Sequence, residues 1–159
     1  MNDNSAIPRA AQDRPKPMAS RNAFLLAGAT LSALAAMAHL MCIALGGPAY
    51  RFFGAGERMA QLADAGHWYP TAMAVGIAAV LAAWAAYALS GAGVIRRLPL
   101  LRGVLCAITA AYLARGVGFV ALIPYFPGNS LAFWLVSSAV CTVVGVVHLL
   151  GLRQAWPHL

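Results

Sequence analysis

The sequence contains very little charge. Of its 159 residues only 9% are Asp, Glu, Lys or Arg, whereas 62% are hydrophobic and the mean hydropathy is +0.73. Soluble domains carry about 25% charged residues, so these numbers exclude a soluble fold. The charges also leave uncharged stretches of 29, 31 and 37 residues, at 22–50, 65–95 and 116–152. Because a helix needs roughly 20 apolar residues to cross a bilayer, the sequence predicts a polytopic membrane protein.

Paired cysteines and buried carboxylates are absent as well. Cys42, Cys106 and Cys141 lie in three different apolar stretches and at different predicted depths, so no two meet the roughly 7 Å Cα separation that a disulfide requires. We therefore expect no dithiol centre and interpret all three as small core residues. No Asp or Glu lies in any apolar stretch, which argues against a proton-driven antiporter and against a metal site.

Two histidines inside apolar stretches raise the possibility of a bis-histidine haem. Counted along ideal helices, His39 lies about 7 Å to one side of the membrane midplane and His148 about 10 Å to the other. One iron therefore cannot bind both, and no cofactor is predicted. At the depth of His148, Tyr87 is the expected hydrogen-bond partner. Small residues spaced three and four apart on the same helices as the two histidines predict close helix packing.

Glycine and proline mark the ends of the apolar stretches, as in Gly46-Gly47-Pro48 and around Pro124. Long apolar segments in lipid must satisfy their own backbone hydrogen bonds, which favours helices. The predicted fold class is an all-α membrane protein, a bundle of four transmembrane helices at residues 23–45, 71–90, 103–123 and 131–152. The first apolar stretch is longer than a signal-peptide core, which indicates an uncleaved anchor.

Basic residues predict the orientation. Eight of them fall in the N-terminal tail, in the loop between the second and third helices and at the C-terminus, whereas two fall in the first loop of the opposite side. Both termini are therefore expected in the cytoplasm, with residues 1–21 forming a disordered basic tail and 154–159 a cytoplasmic C-terminus. The basic residues form no single patch, so the bilayer, and not nucleic acid, is the expected partner.

One cation, Arg115, lies two positions from the centre of the third predicted helix. A central Arg costs roughly 2.5 to 3.5 kcal/mol on insertion scales, so it should face the bundle interior and have a partner. His39 and Glu57 are the predicted partners, and Tyr112 shares the helical face of Arg115. Two interpretations stay open: Arg115 joins helices through His39 and backbone carbonyls, or it forms a ligand or ion site.

The first outer loop, residues 47–69, is the only connection long enough to fold. Its first part mixes glycines with aromatic residues, including Tyr50, which is typical of an interfacial segment. Residues 57–65 predict a short helix that lies flat on the membrane, with Glu57 near its N-terminus. The clustered aromatic side chains of this side form either an aromatic belt or a lid over a cavity with Arg115, His39 and Glu57 at its floor.

The run Gly54-Ala55-Gly56-Glu57, a proline-led second helix and the basic turn Arg96-Arg97-Leu98-Pro99 resemble small four-helix bacterial inner-membrane proteins without assigned function. More distantly the sequence is similar to the DoxX-like group, which also has four helices and a glycine-rich first outer loop. The resemblance covers roughly residues 46–115. It implies a bacterial inner-membrane location and supplies no catalytic residues.

The sequence favours a non-enzymatic membrane protein that binds a lipophilic or anionic small molecule, or a membrane-protein partner, through its outer half. The candidate ligand-binding residues are Arg115, His39, Glu57, Tyr112 and Tyr50. The alternative is an enzyme acting on a lipid or quinone, with His39 and Glu57 as acid and base and Arg115 holding an anion. Transport is a third possibility, but it would need a continuous polar path that the inner half barely offers.

Overall fold

The computed structural model describes residues 21–126 and 128–159, and this part of the chain is helical without strands. The predicted tail, residues 1–21, lies outside the described part except for Arg21. The helices are α1 (Ala23–Leu45), α2 (Gly47–Phe52), α3 (Glu57–Asp64), α4 (Trp68–Gly91), α5 (Leu101–Val117), α6 (Phe119–Leu122) and α7 (Leu131–Ala155). Short 3₁₀ turns follow α6 at Ile123–Tyr125 and α7 at Trp156–His158. The predicted all-α fold is confirmed.

Side-chain caps explain where two of the long helices begin. The Asn22 carbonyl Oδ1 accepts a hydrogen bond from the Leu25 amide at 2.9 Å, and the Ser130 hydroxyl accepts one from Phe133 at 3.1 Å. Each cap satisfies a backbone N–H that has no partner inside its helix. At the other end of α1, Gly46 has a φ of +66°, which favours glycine and ends the helix.

Within residues 21–126 and 128–159, three helices are long and apolar enough to cross a membrane: α1, α4 and α7, the last counted with its 3₁₀ turn. The third predicted helix, 103–123, is not one continuous helix. Its two parts, Leu101–Val117 and Phe119–Tyr125, meet at an angle of 71°, and the chain has four candidate spans only if they count as one. The bend lies at Gly118, where a Cβ would stand 2.6 Å from the Ala114 carbonyl oxygen. Glycine permits this close approach, which hydropathy does not reveal.

The helices pack as two pairs, α1 with α4 and α5 with α7, and α1 joins the pairs by also packing on α7. Glycines bring the backbones close: a Cβ at Gly151 would lie 2.8 Å from Leu25, and one at Gly145 equally close to Leu113. The small residues predicted to mediate packing are buried as expected, among them Ser32, Ala36, Ser138 and Gly145. Small residues at helix contacts are the usual basis of packing in membranes.

The two ends of the bundle differ. One end, here called the termini end, brings Asn22 to the Gly151 carbonyl at 2.9 Å and Arg102 over the Trp156 ring at 5.4 Å. The opposite end, here called the loop end, carries α2, α3 and α6. There the Asn129 side-chain amide donates to the Gly54 carbonyl at 2.9 Å, so the two loops of this end contact each other.

All three cysteines are free, as the sequence predicted. Their expected role as core residues is only partly right. Cys42 is buried and Cys141 half-buried, but Cys106 is exposed on the outer surface of α5. Cys106 lies about 100° around the helix axis from Leu105 and about 160° from Ile108, which both face the core, so its thiol points outward.

Candidate functional site

A polar cluster occupies the centre of the bundle. The Ser32 hydroxyl lies 2.9 Å from the Tyr112 hydroxyl and 3.4 Å from His148 Nε2, and the rings of Tyr112 and His148 stack at 5.4 Å. Trp84 packs edge-on against Tyr112 at 5.1 Å. Ser32 and His148 are fully buried, and these contacts replace part of the hydrogen bonding with water that burial removes. His148 Nδ1 has no partner among the described residues. The cluster therefore connects α1, α4, α5 and α7 at one level.

The sequence predicts Tyr87 as the hydrogen-bond partner of His148, but in the structure the partner is Ser32. His39, the other histidine, is bonded within its own helix, with Nδ1 2.8 Å from the Ala35 carbonyl oxygen. Among residues 21–126 and 128–159 no group of three or more His, Cys, Asp or Glu side chains is placed to hold a metal ion. Tyr112 likewise belongs to the His148 cluster, since its hydroxyl contacts Ser32.

The sequence predicts Arg115 near the middle of a membrane-spanning helix, but the structure places it elsewhere. It lies in the last turn of α5, which ends two residues later at Val117. Its Nη2 donates to the Ser137 hydroxyl at 3.0 Å, six residues or about 9 Å before the midpoint of α7. The carbonyls at a helix C-terminus carry partial negative charge, which stabilises a cation there. Placing the charge of Arg115 at this helix end therefore costs less free energy than placing it at the centre of a membrane-spanning helix.

The predicted pairing of Arg115 with Glu57 or His39 is wrong. Glu57 accepts two hydrogen bonds of 2.9 Å from Arg51, through Nε and Nη2, and a third of 3.2 Å from Gln61. Glu57 is only six residues from Arg51, and the tight turn between them contains two glycines of positive φ. Glu57 therefore reaches Arg51 more easily than it could reach Arg115 on α5. The three candidates Arg115, His39 and Glu57 do not converge on one cavity floor.

The loop end contains its own ion-pair network. Arg51 Nη2 also lies 3.1 Å from Asp64 Oδ2. The other carboxylate oxygen of Asp64, Oδ1, accepts a hydrogen bond of 3.1 Å from the Gly47 backbone amide. A Cβ at residue 47 would overlap the Asp64 carboxylate, so only glycine allows this contact. Hydrogen bonding to Arg51 lowers the pKa of Glu57, and the two carboxylates raise the pKa of Arg51. The network joins α2 to α3 and keeps both described side-chain carboxylates at the surface.

Around Arg115 the structure brings together hydrogen-bond donors without acceptors. Arg115 Nη1, Trp134 Nε1 and the Ser138 hydroxyl are all buried, and none has a hydrogen-bond partner among residues 21–126 and 128–159. The guanidinium lies over the Trp134 ring, with Cζ 5.4 Å from its centroid. Trp134 and Ser138 are one turn apart on α7, so both face α5 beside Arg115. Buried polar atoms without partners are rare in native proteins, so a group of three indicates a missing acceptor.

Aromatic rings cover this donor group. Phe119, Phe126 and Phe133 surround Trp134 at centroid distances of 6.5, 6.3 and 5.7 Å. Phe133 also packs on the backbone of Gly54, which connects the cover to the loop between α2 and α3. Three phenylalanine rings thus pack around Trp134, the ring over which Arg115 lies. The predicted lid over a cavity floored by Arg115, His39 and Glu57 is not formed, since these three residues do not converge.

Sequence reasoning did not single out Trp134, Ser137 or Ser138 as site residues. The sequence places Trp134 among the clustered aromatic residues of the outer side and Ser138 among the small residues spaced for helix packing. The available signal was their spacing: a tryptophan and two hydroxyls within five residues on one helix, beside the one arginine of an apolar stretch. Tyr50, the remaining candidate, lies elsewhere, packed with Cys42, Ala60 and Ala74 between α1, α3 and α4.

The chain matches no protein-family model, no curated protein and no solved structure.

Proposed function

We propose that this chain is a bacterial inner-membrane protein, similar to the small four-helix and DoxX-like proteins, that binds a lipophilic small molecule without transforming it. Its four spans are α1, α4, the bent pair of α5 and α6, and α7, and both termini face the cytoplasm. The binding group is the donor group of Arg115, Trp134 and Ser138. The ligand supplies a hydrogen-bond acceptor or a negative charge, as a quinone carbonyl or a lipid phosphate does.

One observation carries this proposal: three buried donors have no partner, on an arginine that lies over Trp134 and on two α7 residues one turn apart. The arginine has no carboxylate partner in the described part of the chain. Both described side-chain carboxylates, Glu57 and Asp64, contact Arg51 instead. An unpaired donor in a nonpolar environment costs roughly 1–3 kcal/mol, more when it is charged. A ligand with an acceptor would satisfy several of these donors at once, so its binding is favourable even where the apolar contacts are modest.

Acid–base catalysis receives less support. It would require Glu57 and His39 near the anion-holding Arg115, whereas Glu57 is bonded to Arg51 and His39 to its own helix. The groups around Arg115 are a serine, a tryptophan and phenylalanines, which can bind and position a ligand but have no acid or base that titrates near neutral pH. The geometry therefore favours binding over chemistry.

Native mass spectrometry of the full chain in mild detergent tests the proposal, followed by extraction and identification of retained small molecules. We expect wild type to retain an acceptor-bearing lipid or quinone. Arg115→Gln should lower that retention by about tenfold or more, because a charge-assisted hydrogen bond is lost. Arg58→Gln, an exposed arginine of the loop end, is the matched control and should retain the molecule fully.

Equal retention in Arg115→Gln and wild type would overturn the assignment of the site. Co-purification of a protein subunit in place of a small molecule, lost in Arg115→Gln, would show that the donors bind a membrane partner. Arg115→Lys separates charge from geometry, since lysine keeps the cation but has neither the planar donors nor the same stacking on Trp134. We expect it to restore only part of the retention.

A further inference from the structure

The termini end of the bundle carries a cationic surface. Its exposed arginines are Arg21 before α1, Arg96 and Arg97 between α4 and α5, Arg102 in α5 and Arg153 in α7. Within residues 21–126 and 128–159 none of these arginines forms a salt bridge, because the side-chain carboxylates described there pair with Arg51 at the loop end. Positive charges without counter-charges attract anions from outside the chain.

One part of this surface is an open groove. Residues 97–103, which lead into α5, line a volume of about 700 Å³, and two of them are Arg97 and Arg102. Both arginines are exposed, so a ligand that arrives from outside reaches their guanidinium groups directly. A Cβ at Gly103 would meet no atom within 4 Å, which leaves the space beside Arg102 free. Arg115 lies thirteen residues further along α5, about 20 Å away, so the groove is separate from the site of the proposed function.

Hydrogen bonds fix both sides of the groove. The Ser90 hydroxyl donates to the Arg96 carbonyl and accepts from the Leu98 amide, each at 3.0 Å, which holds the loop backbone. On the other side Arg102 lies over Trp156, with Cζ 5.4 Å from the ring centroid, and its Nη2 donates to the Trp156 carbonyl at 3.4 Å. The groove thus has a fixed backbone on one side and a held guanidinium on the other, which reduces the entropy lost when a ligand binds.

Exposed apolar side chains beside the arginines place the groove at the bilayer surface. It follows the end of α4, a helix long and apolar enough to cross a membrane. Leu100, between the two arginines of the groove in sequence, is 83% exposed, and Val94 and Ile95 are exposed as well. Trp156, also exposed, is of the residue type that is enriched at the membrane–water interface. Cations beside exposed apolar side chains match the level at which phospholipid headgroups meet acyl chains.

From these observations we infer that the groove binds an anionic phospholipid of the leaflet that surrounds the termini end. Arg97 and Arg102 donate hydrogen bonds to its phosphate, and Leu100 contacts its acyl chains. A zwitterionic lipid also has a phosphate, but its headgroup cation is repelled by the arginines, since the described part of the chain places no carboxylate beside them. The inference does not depend on a ligand at Arg115.

Photo-crosslinking tests the inference on the intact chain in phosphatidylcholine nanodiscs. A small fraction of probe lipid, either phosphatidylglycerol or phosphatidylcholine, carries the same diazirine on its acyl chain next to the ester. Labelled peptides are mapped by mass spectrometry after digestion with chymotrypsin, which does not cut at arginine. We expect phosphatidylglycerol to label residues 94–104 about 3 to 10 times more than phosphatidylcholine at low salt, from the attraction of arginines near a membrane surface to anionic lipids. Equal labelling by the two probes would overturn the inference without any variant.

Two double variants with the same net charge locate the effect. Arg97→Gln with Arg102→Gln removes both arginines of the groove and should bring the labelling ratio of the two probes close to 1. Arg96→Gln with Arg153→Gln removes two exposed arginines of the same end that do not line the groove, and its ratio should stay within about twofold of wild type. Equal ratios in the two double variants, with unchanged helical circular dichroism, would show general surface attraction and contradict the groove. Arg115→Gln should leave the ratio unchanged, which keeps this result independent of the proposed function.

Discussion

The guanidinium of Arg115, a residue in the last turn of α5, lies over the Trp134 indole, with Cζ 5.4 Å from the ring centroid. A cation over an indole is stabilised by the negative face of the ring, by up to about 2 kcal/mol where water is excluded. The helix end adds to this stabilisation. Arg115 therefore needs no carboxylate partner to be tolerated in the bundle, although one of its nitrogens still lacks an acceptor.

The first prediction concerns Arg115 and Glu57, which the sequence suggested as a pair. Because Glu57 contacts Arg51 instead, the losses in unfolding free energy caused by Arg115→Gln and Glu57→Gln should add to within about 0.5 kcal/mol in the double variant. Unfolding by SDS in mixed micelles measures the three variants. As a positive control, Arg51→Gln combined with Glu57→Gln should be clearly non-additive. Coupling between residues 115 and 57 would contradict the structure.

A second prediction tests the contact between the two loops of the loop end. Gly54 and Gly93 have nearly the same φ, +72° and +74°, but only a Cβ at Gly54 would overlap a side chain, that of Phe133. Alanine at either position costs about 1–2 kcal/mol of backbone strain. Gly54→Ala should cost about 1–3 kcal/mol more than Gly93→Ala, because the Phe133 ring must move. Equal melting temperatures of the two variants would show that Phe133 does not pack there.

A third prediction concerns the packing of His148. A Cβ at Gly28 would lie 2.9 Å from His148 Cε1 and Nε2, whereas one at Gly76, on the exposed side of α4, would meet nothing within 4 Å. Gly28→Ala should therefore lower the unfolding free energy by about 1–3 kcal/mol. Gly76→Ala should raise it by about 0.5–1 kcal/mol through better helix propensity. Thermal unfolding followed by circular dichroism distinguishes the two, and a stabilising Gly28→Ala would contradict the position of His148.

The fourth prediction is a pH dependence of the α2–α3 segment. Arg51 lowers the pKa of Glu57 in the folded protein below its ordinary value of 4.5. The stabilisation from this ion pair is therefore complete above that value and is lost as the pH falls through the lower folded value. Hydrogen exchange of residues 47–65 should be slower in wild type than in Glu57→Gln at about pH 6.

The difference should shrink as the pH falls below 4.5, because protonated Glu57 resembles glutamine. Comparison with Glu57→Gln at every pH removes the intrinsic pH dependence of exchange. A wild-type protection that stays larger than that of the variant in acid would contradict the role of the ion pair. Because both side chains are about half exposed, high salt should weaken the effect.

Much of the fold follows from the sequence because apolar length and glycine or proline breaks are local signals. The 23-residue apolar stretch after Asn22 is long enough to require a helix, and Gly46 ends it. The bend at Gly118 is different. It depends on the close approach of one glycine to the Ala114 carbonyl, and the surrounding residues are as apolar as those of a straight helix. Hydropathy therefore predicts the stretch but not its shape.

The site was less predictable, and the error in the shape of the third helix explains why. Counting along a straight helix places Arg115 near the midplane, where His39 and Glu57 are the expected partners. The true end of α5 at Val117 places it beside the first turns of α7, where Ser137 and Trp134 become partners. The partner of Glu57 was also predicted wrongly. Its nearest cation is Arg51, and the two are joined by a tight turn whose conformation cannot be read from hydrophobic periodicity.

The early end of α5 has a consequence for the surrounding bilayer. Seventeen residues give a helix of about 25 Å, whereas the 25 residues of α7 give about 37 Å, and a typical hydrocarbon core measures about 30 Å. Such hydrophobic mismatch is relieved by thinning the membrane beside the short helix and by tilting the long one. Lipids next to α5 and α6 should thus be compressed relative to those next to α1 and α4, so that one flank of the protein favours shorter acyl chains than the other.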